Sequence, residues 1–223
     1  MRWLLIINGL LLFGFVNAQE ADVLANFTLE YHESYRLSMK SINTTMDEME
    51  AEEEGKDRVI NAFINEFYRI FHEEYAASLN LNPLPLTNYP EGFNMNAYEL
   101  PEMSPKRAAK GLMGNSLYTV QIRMERGGLG GSDTGGLTIK EIGIKGDKKK
   151  FKPRLVVRVM IFNDKGKRTK NVKGAATSKE RIVLKQNSFL RIATVGKNST
   201  IEDSQQVILD TFRKALDELV EKF

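Results

Sequence analysis

The chain has 223 residues, enough for one ordinary hydrophobic core and an appendage, and a formal net charge of +3. It has no cysteine, which excludes disulfides, thiolate metal sites and cysteine nucleophiles. Its two histidines, His32 and His72, leave Ser/His and Cys/His catalysis short of parts.

The small net charge conceals a split. Residues 19–102 carry 5 Lys+Arg against 17 Asp+Glu, whereas residues 103–200 carry 23 against 6. The last segment, 201–223, is mildly acidic, with 3 against 6. Either acidic helices neutralise a basic sheet, or the basic middle meets an anionic partner.

Met1–Ala18 reads as a secretory signal peptide, with Arg2 as its positive start, an apolar core and small residues before the cut. Cleavage is expected between Ala18 and Gln19. The apolar run is shorter than the ~20 residues a membrane span needs. Gln19 stands where a lipoprotein would carry cysteine, and no later segment is apolar enough to span a bilayer. The expected destination is the periplasm or the extracellular space.

Residues 19–55 read as an acidic helical arm ahead of an α+β domain at 56–223. Phe27, Tyr31 and Tyr35 fall at helical spacing, and Glu48–Glu54 is an acidic run ending at Gly55. Glycosylation sequons begin at Asn26, Asn43 and Asn198. Lys56–Leu79 is an amphipathic helix whose stripe is Ile60, Ile64, Phe67, Phe71 and Tyr75.

Asn80–Pro105 contains five of the six prolines and reads as a loop, its aromatics Tyr89, Phe93 and Tyr98 covering the core. Ser104-Pro105 opens a short helix. Leu117–Arg126 alternates as a half-buried strand, with Tyr118, Val120, Ile122 and Met124 on one face and Thr119, Gln121, Arg123 and Glu125 on the other. Gly127–Gly136 lacks the Gly-Lys-Ser/Thr ending of a phosphate-binding loop, and a strand rather than a helix is expected after it, over Leu137–Ile144. It reads as a flexible connection.

Lys145–Arg154 is a basic connector into the longest β-forming run, Arg154–Phe162, which turns at Asn163–Gly166 into a hairpin. Arg181–Lys185 and Ser188–Val195 form a further hairpin. Thr200 caps a last amphipathic helix, with Ile208, Phe212, Leu216 and Leu219 on its stripe.

The fold expected is α+β: a mainly antiparallel sheet of about four to six strands, helices packed on one face, and the N-terminal helical arm. The opposite face would be basic. Its candidate contacts for an anionic partner are Arg123, Lys140, Lys145, Lys148, Lys149, Lys150, Lys152 and Arg154. No catalytic, cofactor-binding or metal-ligating residue stands out. The His-Glu-x-x-His zinc pattern is missing, and Thr134 stands where a nucleophile elbow needs glycine. Both histidines read as surface residues. Glu125, Asp133, Glu141 and Asp164 are the carboxylates a hydrolase of unrecognised type would gather.

The order of elements from Lys56 onward is similar to that of small α/β domains of bacterial cell-envelope accessory proteins, such as penicillin-binding-protein activators and curli-secretion-type lipoproteins. The resemblance rests on Ala108–Met124, a short helix leading into an alternating strand, on Leu155–Gly166, and on the helix Ile201–Phe223. This chain departs from that pattern in lacking the lipobox cysteine, and no functional residue carries over. The resemblance implies a non-catalytic envelope role.

The expected function is therefore that of an exported, non-enzymatic envelope protein binding a protein partner in an assembly or accessory role. The alternatives are a binder of an anionic polymer or lipid through a basic sheet surface, and the unrecognised hydrolase. Nucleic acid is not an expected partner, and no cofactor is expected.

Overall fold

The computed structural model describes residues 21–32, 35, 57–111, 116–127, 150–187, 190–195 and 201–223. The elements are β1 (Ala21–Tyr31), α1 (Arg58–Ile70), α2 (Pro105–Gly111), β2 (Ser116–Gly127), β3 (Lys150–Phe162), β4 (Arg168–Thr177), β5 (Ile182–Asn187), β6 (Leu190–Val195) and α3 (Ile201–Glu221). The expected signal peptide, the acidic run 48–54, the glycine stretch from 128 to 136 and the strand expected at 137–144 lie outside the described residues. So do the sequons at Asn43 and Asn198.

The fold class is α+β, as expected, but the sheet is mixed. Strands β1-β2-β3-β4 form its body, and the hairpin β5–β6 joins it at the start of β3. Strands β2/β3 and β3/β4 are antiparallel, whereas β1 runs parallel to β2. A parallel pair needs a long crossover, and here it contains α1, the proline-rich loop and α2.

The helical arm is therefore corrected where the structure describes it: residues 21–31 are a strand, and the α+β domain includes them. Phe27 and Tyr31 match helical spacing by coincidence. Val23, Leu24 and Ala25 are consecutive and all buried, which a strand covered on both faces allows and a one-sided helix does not.

Helices α1 and α3 cover one face of the sheet, as the amphipathic stripes predict. From α1 come Phe63, Ile64, Phe67 and Ile70; from α3 come Ile208, Phe212, Ala215, Leu216 and Leu219. They meet Tyr118, Val120, Ile122 and Met124 of β2 and Leu155, Val157 and Val159 of β3. Phe67 and Phe212 join the two helices, ring centroids 4.3 Å apart.

Asp57 starts α1 as its N-cap: Oδ1 accepts from the amides of Val59 and Ile60, and Oδ2 accepts from Tyr31 Oη at 2.6 Å. After Ile70 the helix widens into one π-helical turn, Phe71–Tyr75, and closes through a short 3₁₀ turn, Ala77–Leu79.

Both edges of the main sheet are covered, which blunts edge-to-edge pairing. Along β1 the Phe27 amide donates to the Pro101 carbonyl and the Met103 amide to the Ala25 carbonyl. Along β4 the Ala175 amide donates to Glu218 Oε2 of α3 at 2.7 Å.

Residues 150–154, expected as a connector, belong to strand β3. Pro153 is tolerated there because it sits where the neighbour of β3 changes from β4, ending at Thr177, to β5, starting at Ile182. No ladder donor is needed from it at that gap. The nearby Ser178 amide donates to its carbonyl.

Candidate functional site

The face of the sheet turned away from α1 and α3 carries the chemistry. Strand alternation puts Arg123 and Glu125 of β2 there, with Lys152, Arg154, Val156 and Arg158 of β3 and Asn171 and Lys173 of β4. One end of this face is closed by a small cluster: Val23, Ala25, Met103, Ala108 and Leu117, with Tyr89, Phe93 and Phe162 packed on it. Beyond that cluster Arg123, Arg158, Asn171 and Lys173 are exposed among the described residues, and Lys152 and Arg154 are half-buried.

Three cross-strand rows order the cations. In the first, Glu125 faces Arg154, which faces Thr177. In the second, Glu30, Arg123, Val156 and Ala175 stand side by side. In the third, Thr28, Gln121, Arg158 and Lys173 do so. The first two rows contain their own counterions. Glu125, only 9 % exposed, lies 3.5 Å from Arg123 and 3.7 Å from Arg154, and Glu30 lies 3.4 Å from Arg123.

The third row is different. Arg158 and Lys173 are directly opposite each other across an antiparallel pair, and among the described residues no ion pair joins either to a carboxylate. Like charges so placed destabilise a sheet by up to about 1 kcal/mol.

Of the residues expected from the sequence, Arg123, Lys152 and Arg154 share this face. Lys150 is paired with Val183 where the β5–β6 hairpin joins. Lys140, Lys145, Lys148 and Lys149 lie outside the described residues. Arg158 and Lys173 were missed as candidates. The signal for Arg158 was its place in the alternation of β3. Lys173 was hidden because its strand, β4, has few apolar residues to reveal its period.

The two of these carboxylates among the described residues do not gather. Glu125 lies opposite Arg154 near one end of β3, and Asp164 lies in the turn beyond its other end; Asp133 and Glu141 lie outside the described residues.

His72, expected at the surface, is mostly enclosed. Its Nε2 lies 2.7 Å from Tyr118 Oη and its Nδ1 3.1 Å from the carbonyl of Tyr68. A carbonyl only accepts, so Nδ1 carries the proton and Tyr118 donates to Nε2. Burial pushes the histidine pKa down to about 4, the Tyr68 carbonyl pulling weakly the other way. The imidazole is thus neutral and fully bonded, set among Phe27, Tyr68 and Phe71. It locks the π-helical turn to β2. Among the described residues no group of three or more His, Cys, Asp or Glu could hold a metal ion.

No family model matches this chain, and no curated protein matches it in sequence. Among solved structures it is similar to a protein described as a neuraminyllactose-binding hemagglutinin homolog from Helicobacter pylori. That match covers 92 % of this chain and 88 % of that one, at 8 % identity and a TM-score of 0.31. A hypothetical protein from Chlamydia trachomatis matches over 91 % of this chain and 95 % of its own, at 13 % identity and a TM-score of 0.33. No helix among the described residues is long and apolar enough to cross a membrane.

Proposed function

We propose that this chain is an exported, non-enzymatic binding protein that holds an anionic partner on its open sheet face. The observation that carries the proposal is the exposed pair Arg158 and Lys173, opposed across β3/β4 without a carboxylate. An anion seated over the pair relieves their repulsion and gains charge-assisted hydrogen bonds. The signal-like first 18 residues and the layout resemblance to envelope accessory domains support the exported, accessory part of the reading.

The test is equilibrium binding of the purified protein to anionic probes (sulfated and carboxylated polysaccharides, polyglutamate, anionic vesicles) at low and high salt. The expected result is binding to at least one probe that weakens steeply with salt and is lost in R158E/K173E, with circular dichroism unchanged. Binding to none, or binding indifferent to both changes, would overturn the proposal.

A further inference from the structure

Building on that reading, we infer that the partner is an acidic polysaccharide lying along β3, rather than an acidic protein or a membrane. Three features of the face carry this.

The cations follow a line. Lys152, Arg154 and Arg158 occupy alternate-phase positions of one strand, where same-face neighbours are about 7 Å apart, so the line spans roughly 20 Å. Lys173 and Arg123 flank it on the neighbouring strands. A linear polymer with regularly spaced acidic groups matches a line of charge better than a compact anion does.

Neutral hydrogen-bonding side chains flank one end of the line. Gln121 is half-buried beside Arg158, and exposed Asn171 lies one row along from Lys173. Amides both donate and accept, which suits the hydroxyls between the acidic groups of a sugar chain.

Among the described residues the face also lacks exposed apolar anchors: Val156, within the line, is buried, and Met160, beside Asn171, is half-buried. Among the described residues the exposed large hydrophobic is Met95, in the loop before α2 and off this line. A protein interface draws its binding energy from buried aromatic or apolar anchors, and an interfacial membrane site inserts them. Nucleic-acid grooves add exposed aromatics for stacking, and the line from Lys152 to Arg158 presents none.

The experiment compares four probes at one salt concentration: uronic-acid oligosaccharides of graded length, sulfated oligosaccharides of the same lengths, polyglutamate, and vesicles of mixed anionic and zwitterionic lipid. The expected result is affinity for an acidic oligosaccharide that rises with length and levels off once the chain spans the line. R158E/K173E weakens it at least about tenfold. Q121A and N171A each weaken oligosaccharide binding about 2- to 10-fold and leave polyglutamate binding unchanged.

Tighter binding of polyglutamate or vesicles than of any oligosaccharide overturns the polysaccharide assignment. So does oligosaccharide binding indifferent to Q121A and N171A. In either case R158E/K173E separates the outcomes: if it abolishes the binding that is seen, an anionic partner on this face still stands. If no probe binds, both readings fall.

Discussion

Gly174 of β4 lies against the backbone of Ala215 in α3 so closely that a β-carbon on it would stand 2.1 Å from the Ala215 carbonyl oxygen. The same carbon would stand 2.7 Å from Leu219 Cβ. The close approach lets α3 reach the rim of β4, where Glu218 accepts from the Ala175 amide and Lys222 pairs with Glu218.

Gly174→Ala must therefore push α3 away from the sheet. Overpacking of this kind costs about 1–3 kcal/mol, or several degrees of Tm for a domain this size. Gly92→Ala is the control: its φ of 82° strains an alanine, but nothing lies within 4 Å of the added carbon. Thermal melts should show the larger fall in Tm for Gly174→Ala, because only there must a helix packed into the core shift. Equal shifts for both variants would contradict this account.

The enclosed His72 predicts a pH dependence. Its folded pKa, about 4, lies below its usual 6.5, so below pH 6.5 the unfolded chain takes up a proton that the folded chain refuses. The stability it contributes is whole above 6.5, falls as pH drops towards 4, and changes no further below that; the full loss is up to about 3 kcal/mol. Urea titrations at pH 7, 5.5 and 4 should show His72→Gln with a shallower decline than the parent. The comparison with the parent matters because Glu66, Glu74 and Glu218 are held below the usual carboxylate range, chiefly by hydrogen bonds from Arg69, Arg213 and Lys222 respectively, and they add acid sensitivity of their own.

Glu125 bridges the structural and the functional readings. It neutralises Arg154 within the cationic line and Arg123 beside it, at 3.7 and 3.5 Å. Glu125→Gln frees both cations, so anion binding should strengthen and depend more steeply on salt. The fold should weaken by about 1–3 kcal/mol, because a nearly buried ion pair loses one partner. Weaker anion binding in a folded E125Q protein would mean that the line does not act as an electrostatic site.

Thr119 Oγ1 and Asn26 Oδ1 are neighbours in the β1/β2 register, and both are buried atoms without a hydrogen-bond partner. Thr119→Val removes one of them while keeping the branched shape of the side chain. The expected change is neutral to about 1 kcal/mol stabilising, measured by urea denaturation, against the usual cost of core substitution. A loss above that range would show that the hydroxyl is bonded in solution.

Much of the domain was legible because its elements have strong periods. The α1 and α3 stripes, the alternation of β2 and the turn after β3 all predicted their elements, since each buries one face and leaves the other wet. β1 was not legible, because burial on both faces at Val23–Ala25 erases alternation and leaves helical spacings by chance. The crowded lysines of 145–154 read as a connector, but residues 150–154 belong to β3, and the change of neighbour from β4 to β5 shows why a strand accepts Pro153 there. The candidate face was half legible. Arg123, Lys152 and Arg154 were found as a basic cluster, but the opposition of Arg158 to Lys173 depends on register, which composition does not contain.

The placement of β1 also sets an order of events. β3 and β4 are joined by a tight turn and can pair locally, whereas Ala21 of β1 must find Ser116 across the whole helical crossover. Closing so long a loop is the slow part of assembly, because its entropy is lost before the strand contacts compensate. The strand synthesised ahead of the others in this sheet is thus the one that docks last. Until it does, one edge of β2 stands unpaired and able to recruit a strand from another molecule. A truncation of Leu24 or Phe27 should therefore hasten unfolding far more than it slows folding.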